Sequence, residues 1–511
     1  MAGHFLKSQQ GQLPPVPKAF RGEPQFSQFM APVRFEGEIT NLEIIGDVPK
    51  ELSGTFYRVM PEPHFPSFIE NDPWFNGDGV VSAFRVKDGY VDFRQKYVRT
   101  EKYLREAEAR RALLGKYRNR YTDAVEFQVR STANTNIVYW NGKLLALKED
   151  SPPYAMDPET LETIGLWDFD GQLPSVTFTA HPKFDPVTRE MVCFGYEAKG
   201  DGTPDVCYYS IDKNGKFIET VWTVCPVVGM IHDFAVTENY VVFPVIPLLC
   251  DVERMKKGGE HWQWENGIPM YIGVLPRRGA KGSDVKWFRA PHGFAGHVAN
   301  AFETPSGEID LQLANTPQNI FFWWPDKDGV SPRPDEIEVN LLRYVIDPKS
   351  DNLDLPLGET LVKEDLEFPR IDDRVCMSKH NIVFFDTMDR SKCDFPFVMS
   401  RAGGGHPLYN SLGRFNTTTK EYTKWHAGSR KMVQECIFIP RNEKAPEGDG
   451  FVMVLVNNYE TMSSELAIID TKNFEKEVAL VKLPMRLRHG LHGNWVDDSD
   501  VDGHPGVLPK L

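Results

Sequence analysis

From Phe35 onward the chain runs in short apolar stretches, often alternating with polar positions and separated by clusters of Gly, Asn, Asp and Pro. A period of two bounded by turn residues predicts many short β-strands. Helical periodicity is confined to Glu101 to Arg118, EKYLREAEARRALLGKYR, where strong helix formers and spaced apolar residues predict one helix laid over a sheet body. The seven positive charges between 102 and 120, partly offset by Glu101, Glu106 and Glu108, are expected on a solvated face.

The turns repeat. YAMDPETLETIGLW (154–167), YSIDKNGKFIETVW (209–222), YVIDPKSDNLDLP (344–356), GRFNTTTKEYTKW (413–425) and AIIDTKNFEKEVAL (467–480) share one plan: an apolar strand end, Asp or Asn in a polar turn, and an outgoing strand. A hairpin recurring at irregular, roughly blade-sized intervals predicts an all-β chain, a β-propeller with loop insertions ahead of other antiparallel meanders. Residues 1–30, rich in Gln and Pro, read as an arm across the surface. The remainder, 31–511, reads as a single propeller domain with cap insertions, the helix near 101–118 among them.

Composition narrows the function. A net charge of -14 argues against a broad phosphate-binding surface, so nucleic acid is not an expected partner. The 7 cysteines are scattered and form no CxxC pair. Neither a disulfide framework nor a cysteine zinc site is signalled, and a reducing cytoplasm is the expected setting. No apolar run reaches the length of a membrane span.

Of the 13 histidines, three sit beside apolar strands: His181 in TFTAHPKF, His232 in GMIHDFAVTENYVVF and His297 in HGFAGHVANAFE. His492 follows in RHGLHGNW. A lone histidine is more often a satisfied core or surface residue than a ligand. A propeller, however, brings strands from every blade to one axis, where distant histidines can converge. Three glutamates also stand in or beside largely apolar runs, where an unpaired carboxylate would be costly: Glu149 in LALKED, Glu367 in LEFPRID and Glu435 in VQECIFIP.

These motifs, in order and together with WFNGDGVVSAFRV (74–86), resemble the iron-binding and glycine-rich motifs of the carotenoid cleavage oxygenase superfamily, from about Phe35 to the C-terminus. The resemblance implies a seven-bladed propeller capped by helices and loops. It implies a non-haem Fe(II) held by His181, His232, His297 and His492, with O2 as co-substrate, and Glu149, Glu367 and Glu435 behind the ligands. Imidazole suits Fe(II), and metal-bound histidines need an acceptor for the second ring nitrogen.

Lys148 precedes Glu149, and alternation along a strand would send it to the other side, into the cavity above the metal. Lys148 and Tyr117, in LGKYRNRY, resemble the pair by which the stilbene-cleaving branch holds the para-hydroxyl of its substrate. The expected function is therefore cleavage of the central double bond of 4-hydroxystilbenes, of the resveratrol, piceatannol or lignostilbene type, into two aromatic aldehydes. Carotenoid or apocarotenoid cleavage is the alternative within enzymes, and a non-catalytic binding scaffold the alternative outside them. Phe321 and Phe322, in NIFFWWPDK, are candidate walls of a flat substrate channel, although aromatic loop residues more often anchor a loop.

Overall fold

The structure, a computed structural model, describes residues 15, 17–333 and 336–501. Seven antiparallel sheets follow one another around an axis, a seven-bladed β-propeller. Blade 1 combines Gly37–Ile39, Gly54–Pro61, Gly79–Lys87 and Tyr90–Tyr97 with the C-terminal strand Gly493–Asp497. That last strand pairs with Gly54–Pro61, so the two ends of the chain close the ring. The strand Glu43–Gly46 adds a second clasp by pairing with Glu477–Lys482 of blade 7.

Blades 2, 3, 5 and 6 are four-stranded and start at the axis with Asn136–Trp140, Lys183–Phe184, Phe294–Glu303 and Leu366–Arg370. Blade 7 starts there with Lys431–Pro440. In blade 4 the inner strand is broken into Gly229–Met230 and Ala235–Val236. The five repeated turns of the sequence are the links between the two outer strands of blades 2, 3, 5, 6 and 7. Each blade is apolar on both faces because each face packs on a neighbour. The clusters run from blade to blade, as where Ile437 and Met453 of blade 7 meet Phe56 and Phe84 of blade 1.

The cap differs in detail from the sequence expectation. Three α-helices lie among the described residues: α1 (Glu101–Ala109), α2 (Val252–Lys256) and α3 (Phe395–Ala402). The helix expected over 101–118 starts on the Thr100 cap but ends at Arg110, which takes a left-handed conformation (φ 52°). From there to Arg118 the chain is an irregular segment. Nor is this stretch simply a solvated face. Lys102 is buried and bonded to Asp78 (2.7 Å) and Glu106 (2.9 Å), and Arg118 is buried against Glu197. Periodicity registered the charges but not the acidic partners supplied by distant loops. The described part of the N-terminal arm is packed, with Phe29 and Met30 fully buried and Arg488 donating to the carbonyls of Gln25 and Met30; residues 1–14 lie outside the described residues.

Candidate active site

The inner strands are irregular where they carry the candidate residues. The register of Phe294–Glu303 slips on either side of Val298, leaving His297 unpaired in the ladder. Slips also fall between Glu367 and Arg370 and between Val433 and Cys436, which spans Glu435. Extra residues of this kind bend a strand and re-aim its side chains. His232 occupies the break in the inner strand of blade 4, and His181 and His492 lie just ahead of the inner strands of blades 3 and 1. Phe368, next to Glu367, has φ 54° and lays its ring near that of His297 at 4.9 Å. A non-glycine residue in this conformation is strained and persists only where packing enforces it.

Four imidazoles from four blades meet on the axis. His181 Nε2 lies 3.3 Å from His232 Nε2, which is 3.0 Å from His297 Nε2, itself 3.2 Å from His492 Nε2. Behind three of them stands a carboxylate. His232 Nδ1 bonds Glu149, His297 Nδ1 bonds Glu367 at 2.7 Å, and His492 Nδ1 bonds Glu435 at 2.9 Å. Burial pushes Glu149 and Glu435 upward, yet both are held at about 2: Glu149 by His232, Arg118 and Lys148, and Glu435 by Arg370 and His492. An ionised carboxylate accepts a hydrogen bond from each Nδ1–H, so the Nε2 lone pairs of these three rings point toward one another. Such convergence is repulsive without a cation at its centre. Metal–nitrogen bonds of about 2.0–2.1 Å place neighbouring nitrogens about 2.9–3.4 Å apart, in keeping with these three distances and with all four nitrogens lying within 4.8 Å of one another. The residues therefore fit a metal ion.

Burial drives His181 well below the usual histidine value and His492 down to about 4, the latter against the pull of Glu435. At His297 burial acts the same way but Glu367 outweighs it, and the ring is raised. A cation and a proton thus compete most directly at His297.

Glu149 turns to His232 while Lys148 faces Tyr117. The strand Lys143–Leu147 ends before them, and both residues line the same cavity. Lys148 Nζ donates to Tyr117 Oη at 3.1 Å and lies 4.5 Å above its ring. Burial pulls Lys148 below the usual lysine value against Asp150 and Glu149, and lifts Tyr117 well above the usual phenol value. The cavity, about 470 Å³, also takes in His232, His297 and His492, with Phe75, Phe321, Phe322, Trp323 and Trp324 among its walls. Phe321 packs edge-on against Phe75 (5.5 Å) and Trp324 (5.1 Å).

Several residues escaped the sequence reading. Arg118 Nη1 donates to Tyr196 Oη at 2.6 Å, and Tyr196 in turn donates to Glu149, so a buried chain of charge and hydroxyl steadies the carboxylate behind His232. Arg118 neighbours Tyr117 and was legible only as one of a run of basic residues. Tyr196 was hidden in the apolar strand Met191–Tyr196. Gly296 is required for another reason: a Cβ there would lie 2.1 Å from Glu367 Oε1, which also accepts from the His297 amide.

A propeller whose axis carries four histidines backed by three carboxylates defines a class of metal-dependent oxygenase. The chain belongs to the retinal pigment epithelial membrane protein family, that of the carotenoid cleavage oxygenases, whose family model matches residues 30–497. It is 68% identical over 499 residues to carotenoid cleavage oxygenase 1 of Neurospora crassa, covering 97% of this chain and 95% of the relative. It is 59% identical to resveratrol cleavage oxygenase 1 of Aspergillus fumigatus, covering 94% and 97%. The lignostilbene dioxygenase structure from Pseudomonas brassicacearum superposes with a TM-score of 0.90 at 41% identity, covering 94% of this chain and 99% of its own. The protein is an oxidoreductase, a dioxygenase that cleaves a carbon–carbon double bond. No helix among the described residues is long and apolar enough to cross a membrane.

Proposed function

We propose that the protein is an Fe(II)-dependent dioxygenase of the cytoplasm that cleaves the central double bond of 4-hydroxystilbenes such as resveratrol, giving two aromatic aldehydes. One observation carries this reading: a buried ammonium and phenol, Lys148 and Tyr117, line the same aromatic-walled cavity as three of the convergent imidazoles. A polyene has no oxygen to offer such a pair near its reacting bond, whereas a 4-hydroxystilbene presents one at the para position. His181, His232, His297 and His492 would hold Fe(II), with Glu149, Glu367 and Glu435 orienting three of them. Iron there would supply activation of O2.

The side chains of the chain itself do the rest. Tyr117, kept neutral by burial, donates to the para oxygen of the substrate, and Lys148 sets its positive charge beside it. A buried ammonium is costly alone and is stabilised by an anionic partner, so the pair favours the ionised phenol. Electron density passes through the ring into the central alkene and makes it the more reactive bond. Aromatic walls exclude water and hold the substrate flat across the axis. The free cysteines suit a reducing compartment.

The name of the Neurospora crassa relative favours a second reading, cleavage of apocarotenoids at the same centre. Incubation of the iron-loaded protein with resveratrol and, separately, with an apocarotenal under air distinguishes the two. Stilbene cleavage predicts 4-hydroxybenzaldehyde and 3,5-dihydroxybenzaldehyde. Turnover of the apocarotenal with intact resveratrol would overturn it.

A further inference from the structure

The cavity wall carries a further carboxylate. Lys148 belongs to blade 2, and Asp365, which also lines the cavity, immediately precedes the inner strand of blade 6. Around a ring of seven, blade 6 is three steps from blade 2 in one direction and four in the other, so the two residues belong to roughly opposite blades and line one cavity. A flat, elongated ligand anchored at Lys148 and lying over the imidazoles would extend toward the blade that carries Asp365.

The carboxylate there is short of partners. Among the described residues its one side-chain hydrogen bond comes from the Val339 amide at 3.4 Å, and it has no ion-pair partner. Its backbone carbonyl is occupied by the Met388 amide and the Thr387 hydroxyl, which fix the position of the residue. Arg390, which also lines the cavity, is solvent-exposed and reaches over the Phe395 ring; burial raises the Asp365 carboxyl to about 6, while the Arg390 charge pulls it down. A carboxylate offers about four acceptor sites, and Asp365, half-buried beside Ile337, Val339 and Met388, leaves several of them open to the cavity. A donor carried in by a ligand can fill them.

We propose that Asp365 accepts hydrogen bonds from hydroxyl groups on the second ring of the substrate and so selects stilbenes hydroxylated at both ends. The assignment rests on the stilbene reading above. It adds a specificity determinant on a blade roughly opposite that of Lys148. Hydroxyls at the meta positions, as in a resorcinol ring, can both reach one carboxylate. Methyl ethers at the same positions bring no proton and leave Asp365 unpaired.

The test is a specificity ratio. For the iron-loaded wild type, kcat/KM for resveratrol divided by that for 4-hydroxystilbene, which lacks second-ring hydroxyls, is compared with the same ratio in Asp365→Asn and Asp365→Leu. Loss of a hydrogen bond to a charged acceptor predicts a fall of about tenfold in the leucine variant and a smaller fall in the isosteric asparagine variant. Ratios within twofold of wild type in both variants would overturn the assignment. The wild type alone gives a check that needs no variant to fold: the 3,5-dimethyl ether of resveratrol should be cleaved less efficiently than resveratrol, and equal efficiency counts against Asp365. Binding of the saturated analogues, which have no alkene to cleave, separates this inference from the activity. A wild type that cleaves no stilbene yet binds dihydroresveratrol about tenfold more tightly than 4-hydroxybibenzyl refutes the stilbene reading and supports Asp365; equal binding refutes Asp365 whatever is cleaved.

Discussion

At the scale of single residues, the chemistry concentrates on Lys148 and on the backbone beside His297. Replacing Lys148 with Met removes the ammonium while keeping the stem. Charge-assisted hydrogen bonds are worth about 1.5–3 kcal/mol, so kcat/KM for resveratrol should fall by about 10- to 100-fold. Iron content, measured by elemental analysis, should stay at the wild-type level because Lys148 bonds Tyr117 and none of the four imidazoles. Gly296→Ala makes the opposite prediction. Its Cβ would collide with Glu367 Oε1, and misplacing an acceptor behind a ligand typically costs about 10- to 100-fold in metal affinity. Competition with a chromophoric chelator measures that loss. Wild-type metal affinity in the alanine variant would show that Glu367 does not have to sit where it does.

At the scale of elements, α1 and the segment after it deliver the substrate anchor. Glu106 accepts from the amides of Leu113 and Leu114, which turns the chain toward Tyr117 and Arg118, and Lys102 neutralises Glu106 and Asp78 together. Lys102→Met would strand two buried carboxylates, and breaking a buried pair costs about 3–5 kcal/mol. The expected outcome is a lower denaturant midpoint together with a raised KM for stilbene, since the loop that carries Tyr117 loses its brace. A variant with wild-type KM would mean that Tyr117 is held by its aromatic neighbours alone. The sequence marked this stretch as helical and charged, and both signals are local. That Lys102 turns inward depends on Asp78, far off in the sequence, which periodicity does not see.

At the scale of the whole molecule, ring closure and burial set the response to acid. Burial holds His380 at about 4 and, reinforced by His406, keeps His489 well below the usual histidine value. In the unfolded chain such rings take up protons near pH 6.5. The folded state takes them up only at lower pH, so its advantage is complete above about 6.5 and declines as pH falls toward 4. Carboxylates held at about 2 add their own loss below about 4.5. These rings therefore lower the melting temperature as pH falls from 7 to 4.5, while Asp72, raised by burial to about 7, works the other way; a profile unchanged in His380→Phe would contradict the assignment of His380. Metal retention should fall over the same range, because the proton favoured at His297 by Glu367 competes with the cation.

The amino-acid order by itself determined the strand-rich architecture, the five recurring turns and the identity of the histidines and glutamates that now stand near one axis. Those features are written in local period and in residue type, and both survive without knowledge of contacts. Only the tertiary structure decided that the four imidazoles converge, with successive Nε2 atoms 3.0–3.3 Å apart, and that Lys148, Tyr117 and Asp365 line one cavity. Bulges in the inner strands, the strained backbone at Phe368 and the approach of Glu367 to Gly296 arise from packing between blades far apart in sequence. Distances of that kind are set by closure of the ring, which no window along the chain contains.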